Sequence, residues 1–186
     1  MTAVFFSGPR LIARRFEERD LAALAAMRAD PDVAAFQSWE NFTPAEAGEF
    51  LAWVKARNPG DPGWFQFALE HRETGAFIGD CGLRIMESDN RLAQVGYTIL
   101  RAHWNLGFAT EAVTALLAYA FSTFALHRIA ASVDPRNAAS CRVLEKAGFG
   151  KEGHFTESEW FKGRWADDAV YGLLRVNWEK QNPRRI

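Results

Sequence analysis

The chain has 186 residues, a formal net charge of −1 at pH 7 and two cysteines. This length predicts a single domain, residues 1–186, with enough chain to bury a sizeable core. The basic residues are spread along the sequence, which argues against nucleic acid or an anionic membrane as a partner.

The sequence contains neither a secretion signal nor a metal-binding pattern. No charged and apolar leader opens the sequence, so we expect a cytoplasmic protein. Cys81 and Cys141 lack metal-ligand spacing and are interpreted as small buried residues of a reduced protein. His103, His127 and His154 do not cluster at such spacing either, and we predict no metal site.

The first third of the chain predicts one strand and two helices. Arg10 to Phe16 is typical of an edge strand, and Asp20 begins a short helix with apolar residues at helical spacing. Thr43-Pro44-Ala45-Glu46 is a helix start, with Thr as the N-cap, Pro at the first helical position and Glu at the third. Asn58-Pro59-Gly60 ends that second helix.

The segment between the two helices, Phe36-Gln37-Ser38-Trp39-Glu40, is aromatic and polar. Such a composition suits a substrate-binding loop. It suits equally well a surface loop held down by Phe36 and Trp39, and the sequence leaves both interpretations open.

The middle of the chain predicts three strands and a central helix. Trp64–Leu69 and Phe77–Ile85 read as an antiparallel hairpin, and Asp89-Asn90 turns the chain into a third strand, Leu92–Leu100. A turn, Asn105–Thr110, then opens a long apolar helix over Glu111–Phe124.

This turn is the first candidate site. A strand that feeds a glycine-containing turn and a helix leaves backbone N–H groups free, and with the helix dipole they form an anion site for a phosphate or pyrophosphate. The nucleotide patterns GxxxxGK[ST] and GxGxxG are both absent. A lone glycine such as Gly107 is more often a turn or packing device, so this pattern alone does not decide.

The last third predicts a strand over Arg128–Val133, a helix over Ala138–Ala147 closed by Gly148, and a hairpin of Gly150–Phe161 and Ala169–Trp178. The alternation of helices and strands along the chain predicts a mixed sheet flanked by helices. Only the tail, residues 184–186, is expected to fray.

Three stretches, in order, carry a family pattern. His103 to Ala112 reads HWNLGFATEA, and Asn137 to Phe149 carries Asn-x-x-Ser followed by Leu-Glu-Lys-Ala-Gly-Phe. Residues 163–167 and 170–174 fit a final hairpin. Together these motifs resemble the GNAT superfamily of acyl-coenzyme A N-acyltransferases, and within it the RimJ/RimL-type branch. The resemblance implies an α/β GNAT fold: a mixed, mostly antiparallel sheet with flanking helices and a splayed central strand pair.

The resemblance also implies a reaction. Acetyl-coenzyme A, as cosubstrate, would give its acetyl group to a primary amine by direct attack of the amine on the thioester, without a metal. The acceptor is expected to be a protein N-terminus or a small amine such as an amino acid, a polyamine or an amino sugar, and the enzyme a monomer or homodimer. The alternative is a non-catalytic module that only binds coenzyme A, because two usual catalytic residues are missing.

The family pattern places the cosubstrate on the chain. It implies the pyrophosphate on the amides of Asn105–Thr110, the pantetheine arm along the backbone of Tyr97–Leu100, and the 3′-phosphate near Lys146, which is otherwise a solvated residue at a helix end. The implied binding residues are Tyr97, Thr98, Ile99, Leu100, Trp104, Asn105, Leu106, Gly107, Phe108, Ala109, Thr110, Asn137, Ser140 and Lys146.

Two residues are expected to be catalytic. An amide N–H in the Tyr97 region would polarise the thioester carbonyl, a role worth about 3 kcal/mol in other acyl-transfer enzymes. Many relatives carry a tyrosine acid where this chain has Leu144, and Ser140 is expected to serve as the acid or as a hydrogen-bond donor to the thiolate. Helix capping is an equally weighted alternative for Ser140 and for Asn137.

The usual base is missing as well. Many members carry Glu directly before the pair Val95-Gly96, where this chain has Gln94, and a Gln side chain does not accept a proton from an amine. Glu40, Glu87 and Glu159 are candidates that act through water, against the simpler interpretation of solvated surface charges. A weak base favours α-amine acceptors, whose pKa of about 7.7–8.0 leaves a useful neutral fraction.

Overall fold

The computed structural model describes residues 3–183, so the tail expected to fray, 184–186, lies outside the described residues. The strands are β1 (Val4–Ser7), β2 (Leu11–Arg14), β3 (Gly63–His71), β4 (Phe77–Met86), β5 (Asp89–Ile99), β6 (Arg128–Val133), β7 (Gly150–Phe161) and β8 (Arg164–Leu174). The helices are α1 (Leu21–Ala29), α2 (Pro31–Ala34), α3 (Pro44–Lys55), α4 (Phe108–Thr123), α5 (Ala138–Lys146) and α6 (Arg175–Gln181), with short 3₁₀ turns at Glu18–Asp20 and Arg101–His103.

The strands form one mixed sheet in the order β1-β2-β3-β4-β5-β6-β8-β7. Neighbours are antiparallel except β5 and β6, which are parallel. That parallel pair is joined only from Leu92 to Gln94 and from Arg128 to Ala130, after which the two strands separate. The predicted mixed sheet with a splayed central pair is therefore confirmed.

Two hydrophobic cores cover the two faces of the sheet. Successive residues of a strand point to opposite faces. On β3, Phe67 and Leu69 belong to the core that buries α4, whereas Ala68 between them belongs to a smaller core with α1 and α3. The central helix and the first helices therefore lie on opposite faces of the sheet.

The helix start predicted at Thr43 is confirmed in detail. The Thr43 hydroxyl accepts from the Glu46 N–H at 3.3 Å, and the Glu46 carboxylate accepts from the Thr43 N–H at 2.7 Å. These reciprocal bonds satisfy backbone donors that the helix leaves free, and Pro44 occupies the first helical position, as expected.

The predicted edge strand was wrong in its position. β1 pairs with β2 on its outer side, so Leu11–Arg14 is the second strand of the sheet. The flanking arginines suggested an exposed edge, but the Arg14 side chain is 2% exposed and is paired with Asp20 and Glu70. A buried ion pair that joins distant parts of the chain leaves no local signal in the sequence.

Several other elements and bounds differ from prediction, and the strand expected to begin at Ala169 begins at Arg164. The turn predicted at Asp89-Asn90 lies one residue pair earlier, and α4 begins at Phe108 rather than Glu111. The helix α2 was not predicted. The strand predicted to run to Trp178 ends at Leu174 and continues as α6, which brings the Trp178 ring 5.2 Å from that of Phe121. The chain forms a helix here rather than a longer strand because the helix buries this tryptophan against α4.

Candidate active site

The splay between β5 and β6 opens into a cavity of about 730 Å³. This volume lies within the range of about 300–1,000 Å³ that is common for small-molecule and cofactor sites. Its walls are the end of β5, the start of α4 and the first turns of α5. They bring together most of the predicted binding residues, namely Tyr97, Thr98, Ile99, Trp104, Asn105, Gly107, Phe108, Ala109, Thr110, Asn137, Ser140 and Lys146.

Two predicted binding residues do not line this cavity. The Leu100 N–H donates to the Ile78 carbonyl on β4 at 3.0 Å. The Leu106 side chain is exposed, and its carbonyl accepts from the Arg10 guanidinium at 2.9 Å. The backbone groups of these two leucines are thus engaged within the protein.

The N-terminus of α4 faces the cavity with free backbone donors. Gly107 is the N-cap, with φ 83°, in the left-handed region that favours glycine, and it makes no side-chain cap. The first bond within the helix comes from the Glu111 N–H to the Gly107 carbonyl at 3.1 Å. The amides of Phe108, Ala109 and Thr110 therefore have no partner inside the helix, and with the dipole of a 16-residue helix they form an anion site.

Glu111, in the same turn, points elsewhere. Its carboxylate accepts from the backbone N–H groups of Arg10 at 2.6 Å and Leu11 at 3.2 Å, and from the Arg10 Nε at 2.8 Å. The Arg10 guanidinium also lies 4.3 Å from the centre of the Phe108 ring. Glu111 thus ties the start of β2 to the start of α4 and leaves the amides free for a ligand.

Positive charge lines the opposite wall of the cavity. Arg136, Arg142 and Lys146 all belong to its lining. Arg136 forms an ion pair with Asp134, whereas Arg142 and Lys146 form none within residues 3–183. Because they are four residues apart on α5, they share a helix face and offer two cations to an anionic ligand. Sequence reasoning identified Lys146 and missed Arg142, although its helical spacing from Lys146 was a usable signal.

The splayed part of β5 presents backbone donors to the gap. Leu100 bonds to β4, and alternate residues of an antiparallel strand direct their backbone groups to opposite sides. The N–H of Tyr97, three positions earlier, therefore points away from β4. β6 has already separated from β5 at that level, so this amide is open to the gap.

Two hydroxyl-bearing residues meet at the start of α5. The Asn137 side-chain oxygen accepts from the Ser140 N–H at 3.1 Å, which confirms Asn137 as the N-cap. The Tyr97 hydroxyl donates to the Ser140 carbonyl at 3.1 Å, and burial raises the pKa of Tyr97 to about 12. The phenol is therefore a neutral donor near neutral pH. Sequence reasoning considered only the backbone of Tyr97 and missed this hydroxyl.

A second cavity, of about 260 Å³, adjoins the first. The two share Phe36, Gln37, Tyr97, Asn137 and Ser140 as lining residues. The second cavity contains no Lys, Arg or His in its lining but four carboxylates, which are Asp134, Glu159, Asp167 and Asp168. The two cavities thus have opposite charge character and meet at Tyr97 and Ser140.

Two of these carboxylates already accept hydrogen bonds from neighbouring groups. Bonds from the Arg136 guanidinium hold the pKa of Asp134 below its usual range. The backbone N–H of Glu157, at 2.9 Å, and His154, at 2.7 Å, lower the pKa of Asp167.

The other two carboxylates have no cationic partner. Asp168 accepts from the Ser132 hydroxyl, and within residues 3–183 neither Asp168 nor Glu159 forms an ion pair. These two carboxylates therefore leave the second cavity with negative charge that a cationic ligand would balance.

Of the three predicted candidates for the base, one lines a cavity. Glu159 lines the second cavity. Glu87 is an exposed residue whose pKa is lowered by its own backbone N–H and then by Arg84, and Glu40 lies 3.8 Å from Lys162. Neither of them lines either cavity, and Gln94 lies in the paired part of β5.

The loop between α2 and α3 both lines the cavities and is held against the protein. Phe36 and Gln37 line both cavities. The indole N–H of Trp39 donates to the Arg28 carbonyl at 3.1 Å, and its ring lies 4.3 Å from the Arg28 guanidinium. Phe36 is thus at the site, and Trp39 is the anchor.

The remaining polar residues lie apart from this chemistry. Both cysteines are free, and burial raises the pKa of the Cys81 thiol. Within residues 3–183, no three His, Cys, Asp or Glu side chains converge as metal ligands would. No helix in that part of the chain has both the length and the apolar character to cross a membrane.

Known proteins share this architecture and sequence. The acetyltransferase (GNAT) domain family matches residues 10–150. The uncharacterized N-acetyltransferase p20 of Bacillus licheniformis is 33% identical over 168 residues, which cover 89% of this chain and 93% of p20.

The ribosomal protein uS5-alanine N-acetyltransferase of Escherichia coli is 29% identical over 115 residues, 61% of this chain and 59% of that enzyme. This similarity agrees with the RimJ/RimL-type motifs found in the sequence. Among solved structures, a GNAT-family acetyltransferase from Bacillus anthracis superposes with a TM-score of 0.81 at 27% identity, covering 92% of this chain and 98% of that one.

Proposed function

The chain belongs to the acetyltransferase (GNAT) family, and from this premise we propose that it transfers the acetyl group of acetyl-coenzyme A to a primary amine. One observation carries the proposal: a cavity with free amides and cations meets, at Tyr97 and Ser140, a cavity whose charged lining residues are all carboxylates. The first suits an anionic cosubstrate and the second a cationic acceptor. The two free cysteines support a reducing compartment, the cytoplasm.

Coenzyme A would occupy the first cavity. Its pyrophosphate would accept hydrogen bonds from the amides of Phe108, Ala109 and Thr110 at the positive end of the α4 dipole. Its pantetheine arm would fill the gap between β5 and β6, where the β5 amides have no strand partner. Arg142 and Lys146 would face the remaining phosphate. Because amides and cations suffice for these charges, we expect no divalent metal requirement.

The acceptor would reach the thioester from the second cavity. Amines are protonated in solution, and the carboxylates of Glu159 and Asp168 favour entry of the cation. Glu159 would then take the proton through a water molecule, which leaves the neutral amine as the nucleophile. The Tyr97 N–H, open to the gap, would stabilise the negative charge that develops on the acetyl oxygen as the amine adds to the acetyl carbon.

The collapse of that intermediate breaks the carbon–sulfur bond. The thiol of coenzyme A has an ordinary pKa of about 8.5, so its thiolate is a tolerable leaving group and a weak donor suffices. Once bonded to the acetyl carbon, the nitrogen carries a surplus proton, which it releases to water to leave a neutral amide. The Tyr97 hydroxyl already donates to the Ser140 carbonyl, so the departing thiolate accepts a hydrogen bond from the Ser140 hydroxyl and takes its proton from water.

The proposal is tested with purified protein, acetyl-coenzyme A and four amines: n-butylamine, benzylamine, 1,4-diaminobutane and a peptide that begins with alanine. Free thiol and acetylated amine are measured together, with and without a metal chelator. We expect one thiol per acetylated amine for at least one acceptor, unaffected by the chelator. Calorimetric binding of coenzyme A without turnover of any amine would favour the non-catalytic binding module instead.

A further inference from the structure

Lys162 is a lysine whose ammonium is enclosed and fully engaged by the protein. Its side chain is only 18% exposed. The Nζ donates to the carbonyls of Ala34 at 2.7 Å and Trp39 at 2.9 Å, and lies 3.8 Å from the Glu40 carboxylate. An enclosed ammonium is costly unless its hydrogen bonds are satisfied, and these three partners satisfy it.

The position of this ammonium is fixed by a tight turn. Lys162 and Gly163 join β7 to β8 with φ values of 48° and 78°. Two successive residues with positive φ are typical of the type I′ turn, which holds antiparallel strands closely. Phe161 and Arg164 pair on either side of it. The lysine therefore projects from a rigid hairpin rather than from a free loop.

The groups that Lys162 holds belong to the opposite wall of the second cavity. The hairpin β7–β8 contributes Glu159, Phe161 and Asp168 to that cavity, and the α2–α3 loop (residues 35–43) contributes Phe36 and Gln37. Within residues 3–183, every hydrogen bond between this hairpin and residues 34–43 comes from the Lys162 ammonium. On its other side the loop is held by Trp39, which donates to the Arg28 carbonyl, and by Phe42, which packs against the smaller core.

We propose that Lys162 is a positioning residue for the acceptor: it sets the distance between the two walls of the second cavity. The proposal rests on the proposed function, in which the amine enters there. Loss of the three contacts frees the wall that carries Phe36, which lines both cavities. It leaves in place the α4 amides, Arg142 and Lys146, which are the groups proposed to hold coenzyme A. Recognition of the acceptor should therefore weaken, while that of coenzyme A is retained.

The test compares two variants. Lys162→Met keeps the approximate length of the side chain but loses its charge and its hydrogen-bond donors, whereas Lys162→Arg keeps the charge and the donors. For the panel amine that the wild type acetylates fastest, Lys162→Met should raise KM between about tenfold and a hundredfold, because small displacements at a reaction site have effects of that size. The preference for n-butylamine over the wider benzylamine should fall. The KM for acetyl-coenzyme A and the Kd for coenzyme A should stay within about threefold, and Lys162→Arg should retain the wild-type values.

Lys55→Met is the matched control. Lys55, at the end of α3, forms an ion pair with Glu18 and lines neither cavity. An unchanged acceptor KM and an unchanged amine preference in Lys162→Met, with only a lower Tm, would overturn the proposal. An equal rise of the acceptor KM in Lys162→Met and Lys162→Arg would overturn the proposal as well, because the hydrogen bonds donated by residue 162 would then have no effect on the acceptor.

A second readout does not require turnover. Amide hydrogen exchange of residues 35–43 should be faster in Lys162→Met than in the wild type, and unchanged exchange would also overturn the proposal. If the wild type acetylates no amine, the proposed function fails, whereas the exchange result still decides whether Lys162 holds this wall.

Discussion

At the scale of single residues, the junction of the two cavities contains two hydroxyls whose roles the geometry separates. The Tyr97 hydroxyl is engaged with the Ser140 carbonyl, and the Ser140 N–H is engaged with Asn137. The Ser140 hydroxyl itself is not needed for that cap. Its removal therefore leaves the start of α5 intact, and any loss of rate reflects chemistry.

We predict that Ser140→Ala lowers kcat about tenfold to a hundredfold and leaves the Kd of coenzyme A nearly unchanged. Its hydrogen bond strengthens only as the thiolate develops, so the transition state loses more than the ground state. Steady-state kinetics and calorimetry on the same preparation measure both quantities. A raised KM for acetyl-coenzyme A at constant kcat would assign Ser140 to binding instead.

Tyr97→Phe is the companion variant. Since the phenol holds the first turn of α5 through the Ser140 carbonyl, its loss should lower both kcat and stability. The pKa of Tyr97 is raised from an ordinary 10 to about 12, so the folded state holds this proton more tightly. That contribution to stability is present below pH 10 and is lost as the pH rises toward 12. Chemical unfolding should show a steeper alkaline loss in the wild type than in Tyr97→Phe; equal slopes would show that the phenol is not buried.

A further prediction concerns the base. If Glu159 accepts the proton, the wild-type kcat/KM falls off at the same low pH for two amines of different pKa. In Glu159→Gln the fall should follow the pKa of each amine instead, because only amine already neutral in solution can react. Glu87→Gln, an exposed carboxylate outside both cavities, is the control and should behave as the wild type. Amine-specific profiles already in the wild type would exclude Glu159 as the base.

Residues of the acceptor side were the hardest to identify from the sequence. The residues expected to bind the cosubstrate lie in motifs whose spacing repeats within a family, and most of them line the first cavity. Asp168 and Lys162 lie on a hairpin that reaches the site only through the order β6-β8-β7. Local sequence periodicity does not predict contacts between residues more than 120 positions apart, such as that between Lys162 and Trp39.

At the scale of the element, the start of α4 is the feature on which the proposed binding of coenzyme A depends. Its amides are available because Gly107 adopts a left-handed conformation and caps the helix without a side chain. Gly107→Val would strain this conformation and place methyl groups where the phosphates approach.

We expect Gly107→Val to weaken coenzyme A binding at least about tenfold, the effect of losing roughly one hydrogen bond to a charged group. Isothermal calorimetry measures it. Gly75→Val is a matched control, because Gly75 also has a positive φ of 66° but has no atom within 4 Å of an added Cβ. An unchanged affinity in Gly107→Val, or an equal loss in Gly75→Val, would contradict the placement of the pyrophosphate.

The elements themselves were predictable where local chemistry decides them. The strand β6 and the helix α5 lie at or within one residue of the expected bounds, and α3 begins where expected but ends at Lys55, before the predicted stop at Asn58. N-cap residues mark the starts of α3 and α5, and Gly148 follows the end of α5. The elements β1, α2 and α6 were not predictable from local pattern. β1 is defined by its pairing with β2, and α6 by the contact of Trp178 with Phe121.

At the scale of the whole molecule, a buried ionic network joins the first strands to the first helix. Asp20 accepts two hydrogen bonds from the Arg14 guanidinium, at 2.7 and 2.8 Å, and one from the Glu17 N–H at 2.8 Å, while Glu70 on β3 completes the pairing of Arg14. Removal of Asp20 would leave the buried Arg14 guanidinium with Glu70 as its remaining carboxylate partner and would take away the acceptor of two of its hydrogen bonds.

Asp20→Ala should therefore lower the free energy of unfolding by about 3–5 kcal/mol, measured by urea denaturation. Asp89→Ala, which breaks the exposed pair with Arg91, is the control and should change stability little. Coenzyme A affinity of the folded protein should be retained in both, since neither residue lines a cavity. A small effect of Asp20→Ala would mean that water solvates the Arg14 guanidinium.

The central claim is that the two cavities hold the two substrates and meet at the site of transfer. The most direct measurement is a crystal structure of the protein with coenzyme A and the acceptor amine bound together. We predict the pyrophosphate within hydrogen-bonding distance of the amides of residues 108–110, the sulfur beside Ser140 and Tyr97, and the amine in the second cavity near Glu159. Coenzyme A bound outside the gap between β5 and β6, or an amine that does not reach the sulfur from the second cavity, would contradict the account.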